Sequence, residues 1–522
     1  MVDGSSGPVN IVKPETKITS GVEVTQKLIH AAKTLASILR GTLGPRGLDK
    51  GLYKSNGEFA VTSDGARILN DLLIKNPGAK LLVSLGKAQE GAVGDGVTST
   101  VLLAGALLDE AGGLIRKGVH PLTVVDGYLE AADIAVTMLQ QYTIECSIDD
   151  EGLLEKVAAT SLTGRSAGSD SKFALMLVNA LKQVTHENES GTRCEAEDIL
   201  FDKLEDSTID DTKLIKGTFW RQRIPMEQMA GIRNKVKVAL INSDIKQRET
   251  IRDSEIELQS PDDLQKYLDI QEEINDGMVQ KILATKAEII CSSGDVERSI
   301  LHKLAAANKV VIYNLDQNQL IHLAQASGGN VVDHFNDLSE DDLGFVGRYI
   351  GERKAETDEV QDRIIFDECD GPLVTILVGG AMGAEEAIRG MYDALRATSL
   401  AIGDGLLLHG GGAAHMIAAQ HVKEEAEKKG DRSRLGMDAF ARALELIPWM
   451  LASNCGVNAL DALLELRTEM NKGAIGIRKD GSVGSVDDVL EPAESLLHGI
   501  LAATETANSL LRCDQVISSR GD

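Results

Sequence analysis

The sequence predicts a multidomain protein of the α and α/β classes, in which a mostly helical domain built from both ends of the chain carries an α/β domain inserted between them. Three observations predict it. The 522 residues exceed what one hydrophobic core serves, and 43% apolar residues can fill several. The first and last thirds share a helical, glycine-punctuated pattern. Residues 217–366 instead alternate short β-rich runs with helices.

Residues 1–18 are polar and rich in Gly, Ser and Pro. Leu28, Ile29, Ala32, Leu35, Ile38 and Leu39 then recur at helical spacing until Gly44-Pro45 stops the pattern. Val61-Thr62-Ser63-Asp64-Gly65-Ala66 puts Asp64 in a turn ahead of an apolar-periodic stretch through Leu73, where capping is a sufficient reason for an aspartate. Helical periodicity fills 100–150, divided at His120-Pro121, and 151–215 mixes a helix, the turn Thr160-Ser161-Leu162-Thr163-Gly164-Arg165 and an acidic run, as a connector does. In the insert, strands are predicted at 236–241, 288–291, 310–313 and 331–333. Ser260-Pro261-Asp262-Asp263 supplies an N-cap, an N1 proline and an acidic first turn to a long helix carrying Leu264, Tyr267, Leu268, Ile274 and Met278. Beyond 367 come a strand at 374–378, a helix around Met391-Tyr392-Asp393-Ala394-Leu395, a strand or turn ending in Gly410-Gly411-Gly412, and helices up to a final one over about 491–511.

Composition excludes several functions. A net charge of −26 with no basic stripe argues against nucleic-acid partners and against docking on acidic lipid. The six cysteines never reach a CxxC spacing, so neither a zinc knuckle nor a small disulfide framework is indicated and the chain reads as reduced and intracellular. No secretion signal and no run of eighteen uncharged apolar residues is found, so the expected location is the cytoplasm. His409 and His415 bracket the glycines, but a metal site there needs further ligands. Arg520-Gly521-Asp522 resembles an adhesion tripeptide, and a frayed charged terminus accounts for it.

The chemistry concentrates in Gly94-Asp95-Gly96-Val97-Thr98-Ser99-Thr100, a carboxylate between two glycines followed by hydroxyls. The glycines allow a tight turn and close approach, Asp95 offers a hard oxygen to Mg²⁺, and Thr98 and Ser99 can donate to phosphate oxygens. Val101, Leu102, Leu103, Leu107 and Leu108 continue as a helix, so the loop lies at a helix N-terminus that favours anions. Taken alone, such a turn is more often only a capped connection, and it needs partners elsewhere to become a site. No GxxxxGK[ST] pattern occurs, which excludes a P-loop ATPase.

Thr42–Gly47, Thr62–Gly65, Gly94–Ser99, Thr163–Arg165, Met391–Leu395, Gly410–Gly412 and Glu491-Pro492 fall in an order and spacing that resembles the group II chaperonins, the archaeal thermosome and the eukaryotic cytosolic chaperonin. Leu214-Ile215-Lys216-Gly217 and Leu510-Leu511-Arg512-Cys513-Asp514 extend the likeness over nearly the whole chain. The resemblance implies a chaperonin fold: a mostly helical equatorial ATPase domain (1–148 and 402–522), a small intermediate domain (149–216 and 367–401), and an inserted α/β apical domain (217–366) with a helical lid protrusion near 245–280. It implies ATP and Mg²⁺ as cofactors, unfolded or partly folded proteins as clients, and a homo- or hetero-oligomeric double ring of eight subunits per ring.

Carried over by position, Leu43, Gly44 and Pro45 resemble the phosphate-binding loop, joined by Gly94, Gly96 and Val97, and Asp95 resembles the Mg²⁺ carboxylate. Thr98 and Ser99 resemble the phosphate donors. Asp64 and Asp393 resemble the acidic residues at the attacking water, and Gly411 and Glu491 the contacts to ribose and adenine. Arg165 stands where the family has a lysine sensing the γ-phosphate. Ser63, Val97, Arg165 and His409 depart from the family pattern, and each departure is expected to alter a polar contact near the γ-phosphate, where a lost hydrogen bond to a charged group costs roughly 1.5–3 kcal/mol. Two readings follow: an ATP-hydrolysing folding machine with a reduced rate, and a nucleotide-binding ring scaffold that turns over little. A small-molecule kinase lacks any recognisable acceptor site.

Overall fold

The computed structural model describes residues 17–20, 22–53, 57, 59–164, 171–188, 191–193, 196–204, 207–246, 261–353, 362–380 and 383–518. Arg165, Ser260, most of 245–260 and the terminal tripeptide lie outside them. The chain divides into two compact units, residues 1–178 with 389–522, and residues 179–388.

The helical unit starts with α1 (Val22–Leu39), α2 (Gly65–Asp71), α3 (Pro77–Ala92), α4 (Val97–Arg116), α5 (Pro121–Leu139) and α6 (Glu151–Leu162). Both α3 and α5 begin on a proline, preceded by caps from Asn76 and His120 whose side chains accept the N–H two residues on. In α1 the predicted stripe faces inward, with Leu28, Ala32, Leu35 and Leu39 buried and Ile38 exposed. Helix α4 is apolar almost all round and long enough to cross a membrane, yet it is the central helix of this core, packed against α1, α3 and the later helices Ser433–Asn454 and Ala493–Leu511.

The chain enters the second unit within α7 (Ser171–Val184). Its main sheet runs in the order Val310–Ile312, Ile289–Ser292, Gly231–Ile241, Gly344–Glu352, Arg363–Asp367 and Thr218–Arg221, with Val331–Val332 also pairing with Gly231–Ile241. All four strand runs expected in the insert therefore lie in one sheet. Strands Gly231–Ile241, Ile289–Ser292 and Val310–Ile312 are parallel neighbours, and the remaining pairs on the ordered path are antiparallel. Val236, Val238, Ile289, Ile290, Val310 and Val311 make its core with α9 (Arg298–Ala306), α10 (Gln317–Ser327) and the end of α8 (Pro261–Ala284).

The return to the first unit falls within α11 (Ala384–Asp404), followed by strand Leu406–His409, α12 (Ala413–Glu427), α13 (Ser433–Asn454), α14 (Ala459–Glu469) and α15 (Ala493–Leu511). The final helix starts later than its apolar pattern predicts, because Leu490–Pro492 pairs antiparallel with Leu406–His409 as a strand. Glu445 on α13, nearly sealed from solvent, is clamped by Lys423 of α12 at 2.5 Å and Arg467 of α14 at 2.6 Å. Its carboxyl is held below the usual range by these two partners, against the opposing effect of burial.

Candidate nucleotide site

Several loops of the helical unit converge on one cavity of about 740 Å³, a size usual for small-molecule sites. The end of α1 brings Thr42, Leu43, Gly44 and Pro45. This turn closes with the Gly47 N–H donating to the Gly44 carbonyl at 3.0 Å. Asn454 at the end of α13 holds it from outside, its Nδ2 donating to the carbonyls of Arg40 at 2.9 Å and Leu43 at 2.8 Å. Ser63 and Asp64 line the cavity beside it, and Asp64 also caps α2 by accepting the Ala66 N–H at 2.9 Å.

Gly94 and Gly96 adopt φ of 80° and 76°, a left-handed conformation that side chains disfavour. Asp95 Oδ1 accepts the Gly96 N–H at 2.7 Å. Gly96 caps α4 without a side chain, so the N–H groups of Val97, Thr98 and Ser99 stand beside the cavity with no capping oxygen. The Ser99 hydroxyl donates to the Gly96 carbonyl at 2.9 Å. Gln89, fully buried, fixes this loop: its Nε2 donates to the carbonyls of Asp95 and Ser495, both at 3.0 Å, and its Oε1 accepts from His498 Nδ1 at 2.6 Å. Asp393 enters from α11. One turn along, Arg396 Nη2 donates to the Glu90 carbonyl at 2.9 Å, and the guanidinium lies so close over Gly94 that a Cβ there would come within 2.6 Å of its Nε.

The opposite wall repeats the glycine device. Gly411 and Gly412 have φ of 61° and 79°, and Gly412 caps α12 without a side chain. Leu408 lies opposite Glu491 in the strand pair, and the missing side chain of Gly410 makes room for the glutamate, since a Cβ there would meet Glu491 Oε1 at 2.5 Å. Glu491 reaches the cavity but is otherwise enclosed by protein. Burial first, and the charge of Asp95 second, push its carboxyl up to about 7. Ile447, Leu451, Ile477 and Val489 give this side an apolar lining, and exposed Arg478 and Lys479 stand at the edge.

The cavity thus gathers Leu43, Gly44, Pro45, Asp64, Gly94, Asp95, Gly96, Val97, Thr98, Ser99, Asp393, Gly411 and Glu491, while Arg165 lies outside the described residues. Val97 packs its side chain in the helical core while also lining the cavity. His409 does not line the cavity, and its Nδ1 is sealed without a partner. No group of three or more potential metal-ligating His, Cys, Asp or Glu side chains occurs among the described residues.

The sequence profile of the TCP-1/cpn60 chaperonin family matches residues 35–520. The chain belongs to the TCP-1/cpn60 chaperonin family. This chaperonin is 33% identical to thermosome subunit beta of Archaeoglobus fulgidus, covering 98% of its own length and 95% of the relative's. It is 33% identical to a thermosome subunit of Methanopyrus kandleri over 100% and 96% of the two chains, and 33% identical to thermosome subunit 1 of Haloferax volcanii over 98% and 92%. It is a group II chaperonin subunit.

Reading the chaperonin sequence alone misses Gln89, His498, Asn454 and Arg396 as supports of the site, and His415 as part of its lining. Gln89 carried a signal: it follows Leu82 and Leu85 on the buried face of α3, and an amide in an apolar stripe asks for buried partners. Arg396 and Asn454 carried none, because their partners are backbone carbonyls hundreds of residues away.

Proposed function

We propose that this chaperonin binds ATP with Mg²⁺ in the cavity, hydrolyses it, and uses turnover to close a double-ring chamber around unfolded protein in the cytoplasm, with eight subunits per ring. What supports the reading is the convergence on one cavity of the Gly94–Ser99 loop, the Leu43–Pro45 turn and three carboxylates from distant segments, Asp64, Asp95 and Asp393. With all three present, no observation favours the scaffold alternative.

The residues suit a metal-bound polyphosphate. Asp95 supplies a hard carboxylate oxygen, and the uncapped N–H groups of Val97, Thr98 and Ser99 supply donors at a positive helix end. Mg²⁺, when bound, neutralises phosphate charge. Asp64 and Asp393 orient the attacking water and accept its proton, and the Arg396 contacts hold Asp393's helix against the 90–94 segment. In the proposed division, 1–148 and 402–522 are equatorial, 149–216 and 367–401 intermediate, and 217–366 apical, with 245–280 as the lid.

For assembly, the hairpin of Lys50–Tyr53 and Phe59–Thr62 is a two-stranded sheet that exposes Tyr53, Phe59 and Val61. An isolated hairpin of that kind is marginal in water, and a neighbouring subunit would complete it. Steady-state phosphate release by the purified oligomer tests the proposal: Mg²⁺-dependent turnover is expected, and stoichiometric nucleotide retention without release would overturn it.

A further inference from the structure

We propose that His415 is a nucleobase-binding residue, one of its ring nitrogens hydrogen-bonding to the polar edge of a bound base. The proposal rests on the nucleotide reading above. His415 sits in the first turn of α12, lines the cavity, and is only 6% exposed. Among the described residues its ring makes no hydrogen bond. Among the described residues His409 Nδ1 is sealed without a partner, whereas neither nitrogen of His415 is sealed and the residue lines the cavity.

Buried polar groups in native proteins are paired almost without exception, and an unpaired one facing a cavity points to what fills it. Burial holds the imidazole down to about 4, so at neutral pH it is uncharged and presents one N–H donor and one lone pair. That rules it out as a cationic phosphate ligand. Its surroundings point the same way. The next residue, Met416, packs with Leu451 and Ile477, and Ile447 and Val489 complete an apolar lining. A flat, largely apolar ring with donors and acceptors on its rim fits both features, while the charged half of the ligand has the donors of the Gly94–Ser99 loop.

The test measures Mg-ADP and Mg-tripolyphosphate binding by calorimetry to the assembled wild type, His415→Leu and His415→Gln, with the imidazole ¹⁵N shifts of the wild type recorded alongside. His415→Leu is expected to weaken ADP about tenfold, as loss of a buried hydrogen bond does, and to leave tripolyphosphate within twofold. Its nucleotide-free melting temperature should not fall, because the substitution breaks no hydrogen bond among the described residues. His415→Gln, which keeps a donor and an acceptor, should recover most of the ADP affinity. The ¹⁵N resonances should move with ADP and stay put with tripolyphosphate, a readout that needs no variant to fold. Equal ADP affinity in wild type and His415→Leu, or parallel loss of both ligands, overturns the assignment of His415 alone. A wild type that binds neither ligand overturns the nucleotide reading with it.

Discussion

The two walls of the cavity use one backbone device for opposite ends. At α4 and at α12 a glycine in the left-handed conformation caps the helix without a side chain. Beside α4 stand Asp95 and the hydroxyls of Thr98 and Ser99. Beside α12 stand Glu491, with its carboxyl raised to about 7, and the neutral imidazole of His415. An uncapped helix end alone therefore does not define a charged site. The neighbouring side chains make the difference: a carboxylate and two hydroxyls at α4, a carboxyl raised by burial and a neutral imidazole at α12.

The sharpest break in this comparison comes from the carboxylates on the charged wall. Asp393→Ala should lower ATP turnover 10²-fold or more while nucleotide affinity changes little, since positioning groups commonly contribute that much to rate. Asp95→Ala should instead weaken Mg-nucleotide binding itself. Turnover and equilibrium binding measured on both variants check the distinction, and wild-type turnover in Asp393→Ala would sink it.

The two caps differ in what surrounds them. A Cβ at Gly412 would meet Pro448 Cβ at 2.7 Å and its Cα at 3.0 Å, within α13, whereas one at Gly96 meets the Ser495 hydroxyl at 2.9 Å, which can rotate away. Both alanine substitutions incur the left-handed penalty of roughly 1–2 kcal/mol. Gly412→Ala should add an overpacking cost of about 1–3 kcal/mol, so its melting temperature should fall further than that of Gly96→Ala. Equal shifts would show that α13 yields as easily as a hydroxyl.

Glu491 makes the enclosed wall sensitive to pH. Its unfolded carboxyl titrates near 4.5 and its folded one near 7, so between those values only the folded chain holds the proton. The stability from this group is fully present below pH 4.5 and is lost as pH rises through about 7. Thermal melts of the nucleotide-free chain should therefore show a decline over that window that Glu491→Gln flattens, with the variant melting higher than wild type at pH 8. Parallel pH profiles would remove Glu491 from the account.

The smallest effect is expected at Val97. Because its side chain packs in the core, Val97→Thr should bury a hydroxyl, destabilise by roughly 1–3 kcal/mol, and leave turnover within threefold. A large gain in turnover would restore the sequence-based expectation that valine costs the site a polar contact.

The sequence by itself determined the helices, the strands of the insert and the glycine turns, because apolar periodicity and backbone permissiveness are local properties. It also supplied Asp64 and Asp95 as carboxylates next to such turns, and Asp393 within a helix through the family resemblance. Only the tertiary structure decided which of them share a space. It set Gln89 under the Asp95 carbonyl, laid Arg396 over Gly94, turned Val97 inward and left His415 facing the cavity without a partner. It also enclosed most of Glu491 and set it near enough to Asp95 to raise its carboxyl to about 7. Periodicity tells which face of a helix is buried but not what lies against it, and charge state and hydrogen-bond partnership depend on that opposing surface, supplied here by segments up to four hundred residues away.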